Sequence, residues 1–374
     1  MHTRTPYRAA LAAGLAAAVL AAPVATPAYA RPEPSDPVAN AAPVGAVFPV
    51  TDGLARRLAG ALTEPASARR VVAATARGPA DLLAVPFADA GLSHAVADAN
   101  QRVLAAKGLP ATAGSLLRLR RVGPAQAAAR GAAPLVAATP TDDTPGGVTA
   151  YGPGGALVTL DAARAPERPV LLVEVDAGRA LAAGLTLMRG ELARRGIAGT
   201  ATRSAAGPSA TAGYWATKVD AVRLDDDNEP WLKGDAEIYN LVAGFGLDGK
   251  PKVDLVQMPY LDSDGRTYYP NQLLVHFSEY KYNLADVVMM EDDGDTNYQA
   301  LVQAIVGALL VIVDGGVYQP LVNAILEAIP TSWYTDDPDY VDSWYTLSTG
   351  SAGRLHGAAG NGWFDVSPYF VAPL

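Results

Sequence analysis

Three acidic stretches contain the residues whose types and spacing could do chemistry. The first runs from Asp225 to Glu229 and is followed by Asp235, the second runs from Glu291 to Asp295, and the third runs from Asp336 to Asp339 with Asp342 nearby. Carboxylates crowded at the end of a strand repel one another unless cations compensate their charge. Ca²⁺ suits such a site, because it accepts about six to eight oxygen ligands in a flexible geometry.

The first two stretches therefore predict a calcium site. The predicted ligands are Asp225, Asp227, Asp235, Glu291, Asp293 and Asp295. Zinc and copper are disfavoured, because the chain has no cysteine and only four histidines. An EF-hand starting at Asp225 is excluded, since Pro230 stands where its glycine belongs and Ala236 where its last glutamate belongs. The alternative is that these stretches are solvated turns built from Asp and Asn.

The surroundings of the two stretches resemble the calcium loops of C2 domains. Glu229-Pro230-Trp231-Leu232 follows the first stretch as a similar tetrapeptide does in that fold, and the apolar run from Val287 to Met290 leads into the second. Two features differ from C2 domains. Glu229 replaces an aspartate, and helical sequence follows the second stretch. It implies a β-sandwich in which the two loops meet at one end and share cations.

Four longer segments resemble a family of secreted bacterial proteins known as domain of unknown function 3103. They are 222–231, 234–239, 258–262 and 268–272. The resemblance spans most of the second half of the chain. It implies export and a common fold, and it carries over no activity and no catalytic residue.

The elements that must position the acidic loops differ between the two halves of the chain. In residues 50–200, leucines and valines at helical spacing predict two to four helices before Lys107, and β-rich runs from 135 to 175 precede a further helix at 179–195. This half reads as a small α+β domain. Residues 201–213 are rich in small residues, lack periodicity and are predicted to form a linker.

Residues 214–374 are predicted to form an acidic, mainly-β, C2-like sandwich with a helical insertion. Alternating apolar residues indicate strands in six segments, and two segments in between have helical character. The strands are 214–224, 236–243, 252–258, 272–277, 285–290 and 363–371, and the helices are 297–310 and 317–329. The glycines from Gly244 to Gly249 have the spacing of a dinucleotide-binding fingerprint, which requires a helix to follow. A strand is predicted to follow them here, so a hairpin turn is favoured.

The charge of the chain excludes one class of partner and favours another. Residues 1–211 carry 21 basic and 14 acidic side chains, whereas residues 212–374 carry 8 and 24. The basic residues of the first half are scattered, without an aromatic platform, so no nucleic-acid partner is expected. The acidic half attracts cations. No segment is predicted to span a membrane, because the apolar run 301–313 is too short.

The first thirty residues predict export. Arg4 and Arg8 precede an apolar run from Ala9 to Ala22, and Ala28-Tyr29-Ala30 offers the small side chains that signal peptidase requires. Cleavage after Ala30 would leave residues 31–49 as a flexible N-terminus, rich in Pro and Ala, on a secreted protein. An uncleaved anchor is the alternative.

No recognisable catalytic motif or cofactor-binding motif is present, so no catalytic residue is predicted. The nucleophile elbow, the P-loop and the zinc-protease motif are all missing from the sequence. His276 lies between Val275 and Phe277 on an apolar strand, where a structural role is favoured. The favoured function is a calcium-stabilised extracellular binding or structural module with a cell-surface or carbohydrate ligand. The alternative is a secreted hydrolase that uses a metal ion or a carboxylate pair.

Overall fold

The computed structural model describes residues 46–124, 133–140, 146–162, 164–199, 213–225, 236–292, 294–329 and 340–373. This part of the chain contains six α-helices and four short 3-10 turns. The helices are α1 (Phe48–Ala61), α2 (Pro65–Ala74), α3 (Ala90–Ala106), α4 (Ala177–Arg194), α5 (Tyr298–Leu310) and α6 (Val322–Ala328). The turns are Leu82–Ala84, Ala111–Ala113, Pro153–Gly155 and Phe277–Glu279.

Fifteen strands are found in the same ranges. They are β1 (Ala80–Asp81), β2 (Leu117–Val122), β3 (Leu135–Ala138), β4 (Val148–Tyr151), β5 (Leu157–Leu160), β6 (Val170–Val175), β7 (Tyr214–Leu224), β8 (Ile238–Phe245), β9 (Pro251–Gln257), β10 (Thr267–Tyr268), β11 (Gln272–His276), β12 (Leu284–Glu291), β13 (Tyr340–Ser348), β14 (Gly353–His356) and β15 (Gly362–Val371). The mixed α+β first half and the mainly-β second half agree with the sequence prediction.

Side-chain caps set where the three longest helices after α1 begin. Asp89, Asp176 and Asn297 each accept a hydrogen bond from a backbone N–H in the first turn of α3, α4 and α5. Such caps satisfy N–H groups that have no partner inside the helix. At the other end of α3, Gly108 has φ +62°, and a Cβ there would lie 2.6 Å from the Asn297 side chain. The end of α3 therefore packs closely against the start of α5.

The first sheet is formed by the N-terminal strands. Its order is β1-β2-β6-β3-β4-β5, in which β3 runs parallel to β6 and the other neighbours are antiparallel. Leu117, Leu119 and Val173 face a large hydrophobic core that also contains residues of α1 and α3. This arrangement follows from the alternation of side chains along each strand, which gives the sheet one helix-covered face.

The second half forms two packed sheets. One has the order β13-β12-β8-β9, and the other has the order β10-β7-β15-β14 with β11 also paired to β7. The β8–β9 hairpin is closed by a bond from Gly246 N to Lys250 O, as expected for the glycine-rich segment. A core that includes Val219, Phe364 and Val287 lies between the two sheets. The architecture of this half is a β-sandwich.

The four-stranded sheet is buried on both faces. Tyr239 and Leu241 of β8 belong to the core shared with the helices, whereas Ile238 and Val242 belong to the core between the two sheets. Every residue of β8 is buried, which explains its almost continuous apolar sequence. The core shared with the helices extends from α1 through α5 to this sheet.

Residues 40–374 form one compact unit, and the predicted division near residues 201–213 stays a prediction. Residues 201–212 of that linker, the leader and most of the N-terminal segment 31–49 lie outside the described residues. Among the described helices, none is long and apolar enough to cross a bilayer.

Asp342 joins the two sheets of the sandwich. Its carboxylate is fully buried and accepts hydrogen bonds of 2.7–3.0 Å from the backbone N–H groups of Ser343, Ala359, Asn361 and Gly362. Asp342 lies in β13 of one sheet, whereas the last three donors lie in the β14–β15 turn of the other or at its end. A Cβ on Gly357 would collide with this carboxylate, so the turn requires glycine at that position.

Replacement of Asp342 by Ala is expected to destabilise the fold strongly. The substitution leaves several buried N–H groups without an acceptor, and each such group costs about 1–3 kcal/mol. We expect the free energy of unfolding measured in urea to fall by at least about 3 kcal/mol. The control is Asp365→Ala on β15, a half-exposed carboxylate 3.8 Å from Arg354, which should cost less than about 1 kcal/mol. Equal effects of the two substitutions would contradict the role given to Asp342.

Candidate functional site

The two acidic stretches of the predicted calcium site meet at one edge of the four-stranded sheet. Glu291, the last residue of β12, pairs with Ile238, the first residue of β8. The backbone N–H of Asp292 donates to the carbonyl oxygen of Glu237 at 3.2 Å. Because Glu237 follows the first stretch and Asp292 lies within the second, this bond places the exit of the first stretch beside the second stretch.

The end of β7, where the first stretch begins, lies at the same edge of the sandwich. Asp225 N donates to Asn361 O at 2.7 Å, and Asn361 N donates to the Asp342 carboxylate at 2.9 Å. Asp342 belongs to β13, which pairs with β12. We call this region the acidic edge, and it comprises Asp225, Glu237, Glu291, Asp292, Asp295 and Asp342.

Three of the six predicted calcium ligands are described by the structure, and their environments differ. Asp225 is exposed, and its carboxylate lies 3.2 Å from the Arg223 guanidinium. Glu291 is 1% exposed, and Asp295 is half-buried. The other three, Asp227, Asp235 and Asp293, lie outside the described residues, as do Asp336 to Asp339 of the third stretch.

Within the described ranges, no group of three or more His, Asp or Glu side chains is close enough to hold a metal ion. Asp227, Asp235 and Asp293, half of the predicted ligand set, lie outside those ranges. The calcium site therefore stays a prediction.

Asp292, which was not among the predicted ligands, forms a buried ion pair that sequence reasoning missed. Its carboxylate lies 3.1 Å from the Lys107 ammonium, and both side chains are 0% exposed. The Tyr298 hydroxyl donates to the second oxygen of the same carboxylate, and the Lys107 ammonium lies 5.2 Å from the centre of the Tyr298 ring. The pair holds the second acidic stretch in place from inside the protein.

Backbone contacts strengthen the junction around this pair. Tyr298 N donates to Lys107 O at 3.1 Å, and the Asn297 amide donates to Ala106 O at 2.7 Å. On the neighbouring stretch, a Cβ on Gly178 in the first turn of α4 would lie 3.0 Å from the Glu237 carboxylate. A carboxylate beside the start of a helix is favoured by the helix dipole. Elements of the first half therefore support both acidic stretches.

One signal in the sequence could have drawn attention to Lys107. It is the only lysine before residue 211, and it follows directly after an apolar helix. A buried lysine is rare unless it is paired. The identity of its partner could not be read from the sequence, because Asp292 is 185 positions away.

Two further buried carboxylates have structural partners. Asp286 of β12 accepts hydrogen bonds from Leu321 N at 2.6 Å and Thr346 N at 2.8 Å, and so ties the start of α6 and β13 to the sheet. Glu174 of β6 binds Arg118 and Arg120 of β2. Burial raises the pKa of both carboxyl groups above its usual value, although their hydrogen-bond donors oppose this shift.

Asp254 on β9 is a buried carboxylate whose pKa is raised. Its side chain lies between the sheets, where the Tyr280 hydroxyl is 3.1 Å from Asp254 Oδ2 and 3.1 Å from Val242 O. The Tyr280 hydroxyl donates to the Asp254 carboxylate, and this hydrogen bond favours the ionised form of the carboxylate. Burial raises the pKa of Asp254 to about 6, with Tyr280 and Arg189 opposing the shift and Glu279 adding to it.

His276, for which the sequence favoured a structural role, contacts Tyr214. Its Nδ1 lies 3.0 Å from the Tyr214 hydroxyl, with the two rings 5.7 Å apart between β11 and the start of β7. Burial lowers the pKa of His276, and Glu279 opposes this shift.

Loss of the Lys107 ammonium should destabilise the protein severely. In Lys107→Met the carboxylate of Asp292 remains buried without its cation, so we expect the free energy of unfolding to fall by about 3–5 kcal/mol. Adding Asp292→Asn removes the uncompensated charge and should restore part of the loss. The surface pair of Lys218 and Asp220, 2.8 Å apart, is the control, and Lys218→Met should cost less than about 1 kcal/mol. Additive effects of Lys107→Met and Asp292→Asn would refute the coupling.

Asp254 predicts a pH dependence of stability. Its pKa is raised in the folded state, so the stability it contributes is fully present below its unfolded pKa of 3.8 and is lost as the pH rises to about 6. We expect Asp254→Asn to remove this loss, so that its stability relative to the wild type increases between pH 4 and pH 7 by about 3 kcal/mol at most. Urea unfolding at four pH values in that interval measures the difference. A stability difference that does not change with pH would show that Asp254 is ionised throughout.

Comparison with known proteins places this fold and its acidic edge in a family. A family model described as "Protein of unknown function (DUF3103)" matches residues 72–374. The match confirms the resemblance found in the second half and extends it to the region that contains Lys107. No curated protein and no solved structure matches the chain. Because the family model covers both Lys107 and the acidic edge, and well over half of the sequence, the protein belongs to the DUF3103 family.

Proposed function

We propose that this protein is an exported, calcium-stabilised binding or structural module whose acidic edge holds the ion. The observation that carries the proposal is the bond between Asp292 N and Glu237 O, which brings two acidic stretches to one edge of the sandwich. The proposed ligands are those expected from the sequence, namely Asp225, Asp227, Asp235, Glu291, Asp293 and Asp295.

Electrostatics favours a cation at this edge. Asp225, Glu291 and Asp295 leave strands or loops that converge there, beside the ion pair of Asp292 with Lys107. Converging carboxylates raise one another's pKa values unless a counter-charge is present. Oxygen ligands without nitrogen or sulfur select a hard cation, and Ca²⁺ tolerates the irregular geometry of ligands drawn from two loops.

The C2-like interpretation belongs to this proposal. Two packed sheets with acidic loops side by side at one end are the arrangement that the resemblance implies. In this protein the second loop continues into α5 rather than into a strand, and α5 packs in the core shared with the first half. The calcium loop would therefore be connected mechanically to the helices, and binding at the edge would stabilise the whole compact unit.

Export and an extracellular ligand complete the proposal. The segment from Arg4 to Ala30 supports a cleaved leader and a secreted, bacterial protein, and the absence of cysteine fits a chain that does not rely on disulfides. A carbohydrate or cell-surface ligand would need exposed aromatic rings. Tyr269 is 74% exposed and remains a candidate, whereas Tyr280 is 1% exposed and belongs to the core.

The alternative, a secreted hydrolase, has less support. A carboxylate acid or base must reach its substrate, and three buried carboxylates of this half have structural partners. Asp286 and Asp342 accept backbone N–H bonds, and Asp292 binds Lys107. These contacts support the binding module over the hydrolase.

Calcium should raise the melting temperature of the mature protein. An ion that binds only the folded state stabilises it by RT ln(1+[L]/Kd), about 2.7 kcal/mol at a hundredfold excess over Kd. Calorimetry in millimolar Ca²⁺, in Mg²⁺ and in a chelator should show the highest transition in Ca²⁺. Asp293→Asn and Asp295→Asn should reduce this response, whereas Glu327→Gln on the exposed face of α6 should leave it unchanged. Identical transitions in calcium and in chelator would refute calcium binding.

A further inference from the structure

A cavity lies at the opposite end of the four-stranded sheet from the acidic edge. Its volume is about 580 Å³, and it is lined by the β8–β9 hairpin, by the segments that follow α4 and α5, and by Lys281. Because β8 begins at the acidic edge and ends at this hairpin, the two regions are separated by the whole length of the strand. The volume lies within the range of roughly 300–1,000 Å³ typical of sites for small organic ligands.

Exposed aliphatic side chains surround this cavity. Leu247 is 72% exposed, Leu310 49% and Val313 80%, and all three line the cavity. Val311, which follows Leu310 in the chain, is 78% exposed. Single exposed apolar residues are common, but a cluster around a cavity marks a binding site. Ile197, which is buried, and Ile312, which is partly buried, add aliphatic surface, and no aromatic ring is among the described lining residues.

The charged groups of the cavity leave a positive charge for a ligand. Asp314 binds Lys281 and accepts a 2.6 Å hydrogen bond from the Tyr282 hydroxyl. Asp248 lies 3.2 Å from Lys252, so both carboxylates of the lining are already paired. Lys250, by contrast, has no acidic partner among the described residues, and its ammonium lies at the exposed rim.

We propose that this cavity binds a single anionic amphiphile, a long-chain fatty acid. An aliphatic lining without aromatic rings suits an unbranched hydrocarbon chain, and burial of such a chain contributes about 0.8 kcal/mol per CH₂ group. Lys250 would receive the carboxylate at the rim, where an opposite charge steers and orients the head group. The site is distinct from the acidic edge and does not depend on calcium.

The test is calorimetric titration of the full mature protein with dodecanoate below its aggregation concentration. Dodecyltrimethylammonium has the same chain with a cationic head, and acetate has the same head without the chain. We expect dodecanoate to bind at least tenfold more tightly than either. Chelation of calcium should not change this affinity, so a failure here is distinguishable from a failure of calcium binding.

Two variants at exposed positions locate the site. Leu247→Asp and Lys250→Glu should each weaken dodecanoate binding at least tenfold, and Lys250→Glu should not weaken binding of the cationic amphiphile. Leu157→Asp on β5 is the matched control, because Leu157 is 71% exposed and lies in the first sheet. It should bind dodecanoate as the wild type does.

Four results would each overturn the proposal. They are equal affinity for the two head groups, unchanged affinity in both variants, an equal loss in Leu157→Asp, and binding to phosphatidylglycerol vesicles without binding of free dodecanoate. The last of these would identify a membrane surface as the occupant. Melting temperatures of the three variants, measured in parallel, establish that each is folded.

Discussion

The ion pair between Lys107 and Asp292 is the interaction on which the position of the acidic edge depends. Both side chains are fully buried, so each charge would be very unfavourable without the other. Lys107 follows directly after α3, and Asp292 belongs to the second acidic stretch. The pair therefore requires the end of α3, the start of α5 and the end of β12 to meet at one point. Once they meet, the acidic stretch has a defined position at the sandwich edge.

The four-stranded sheet links the ion pair to the rest of the molecule, because both of its faces are packed. One of its faces packs on the helices and the other on the second sheet, so its central strands are buried along their whole length. A strand that is buried on both sides cannot shift its register without exposing apolar groups. Its two ends nevertheless have opposite character. Carboxylates gather at one end, whereas exposed aliphatic side chains and Lys250 lie at the other.

Several buried acidic residues of this acidic chain have structural roles. Asp342 and Asp286 accept backbone N–H groups and so hold loops to strands, and Asp292 binds a lysine from the other half of the chain. Such contacts satisfy charges that would otherwise be costly to bury. Asp254 differs, because burial raises its pKa to about 6 although the Tyr280 hydroxyl donates to it. The same residue type thus performs three structural tasks, each decided by its surroundings.

The sequence by itself determined the types of element and the position of the acidic stretches. Periods of about 3.6 and 2 residues are local properties, so α5 and the strands β7, β12 and β15 could be predicted closely from spacing alone. The family resemblance and the apolar strand that precedes Glu291 were also visible there.

Only the tertiary structure decided which acidic residues do structural work and which side chains share a surface. The strand order β13-β12-β8-β9, the partner of Lys107 and the cavity behind Leu247 all join residues far apart along the chain. Local periodicity contains no information about such partners, because they are selected by burial and by the hydrogen bonds that the folded chain as a whole must satisfy.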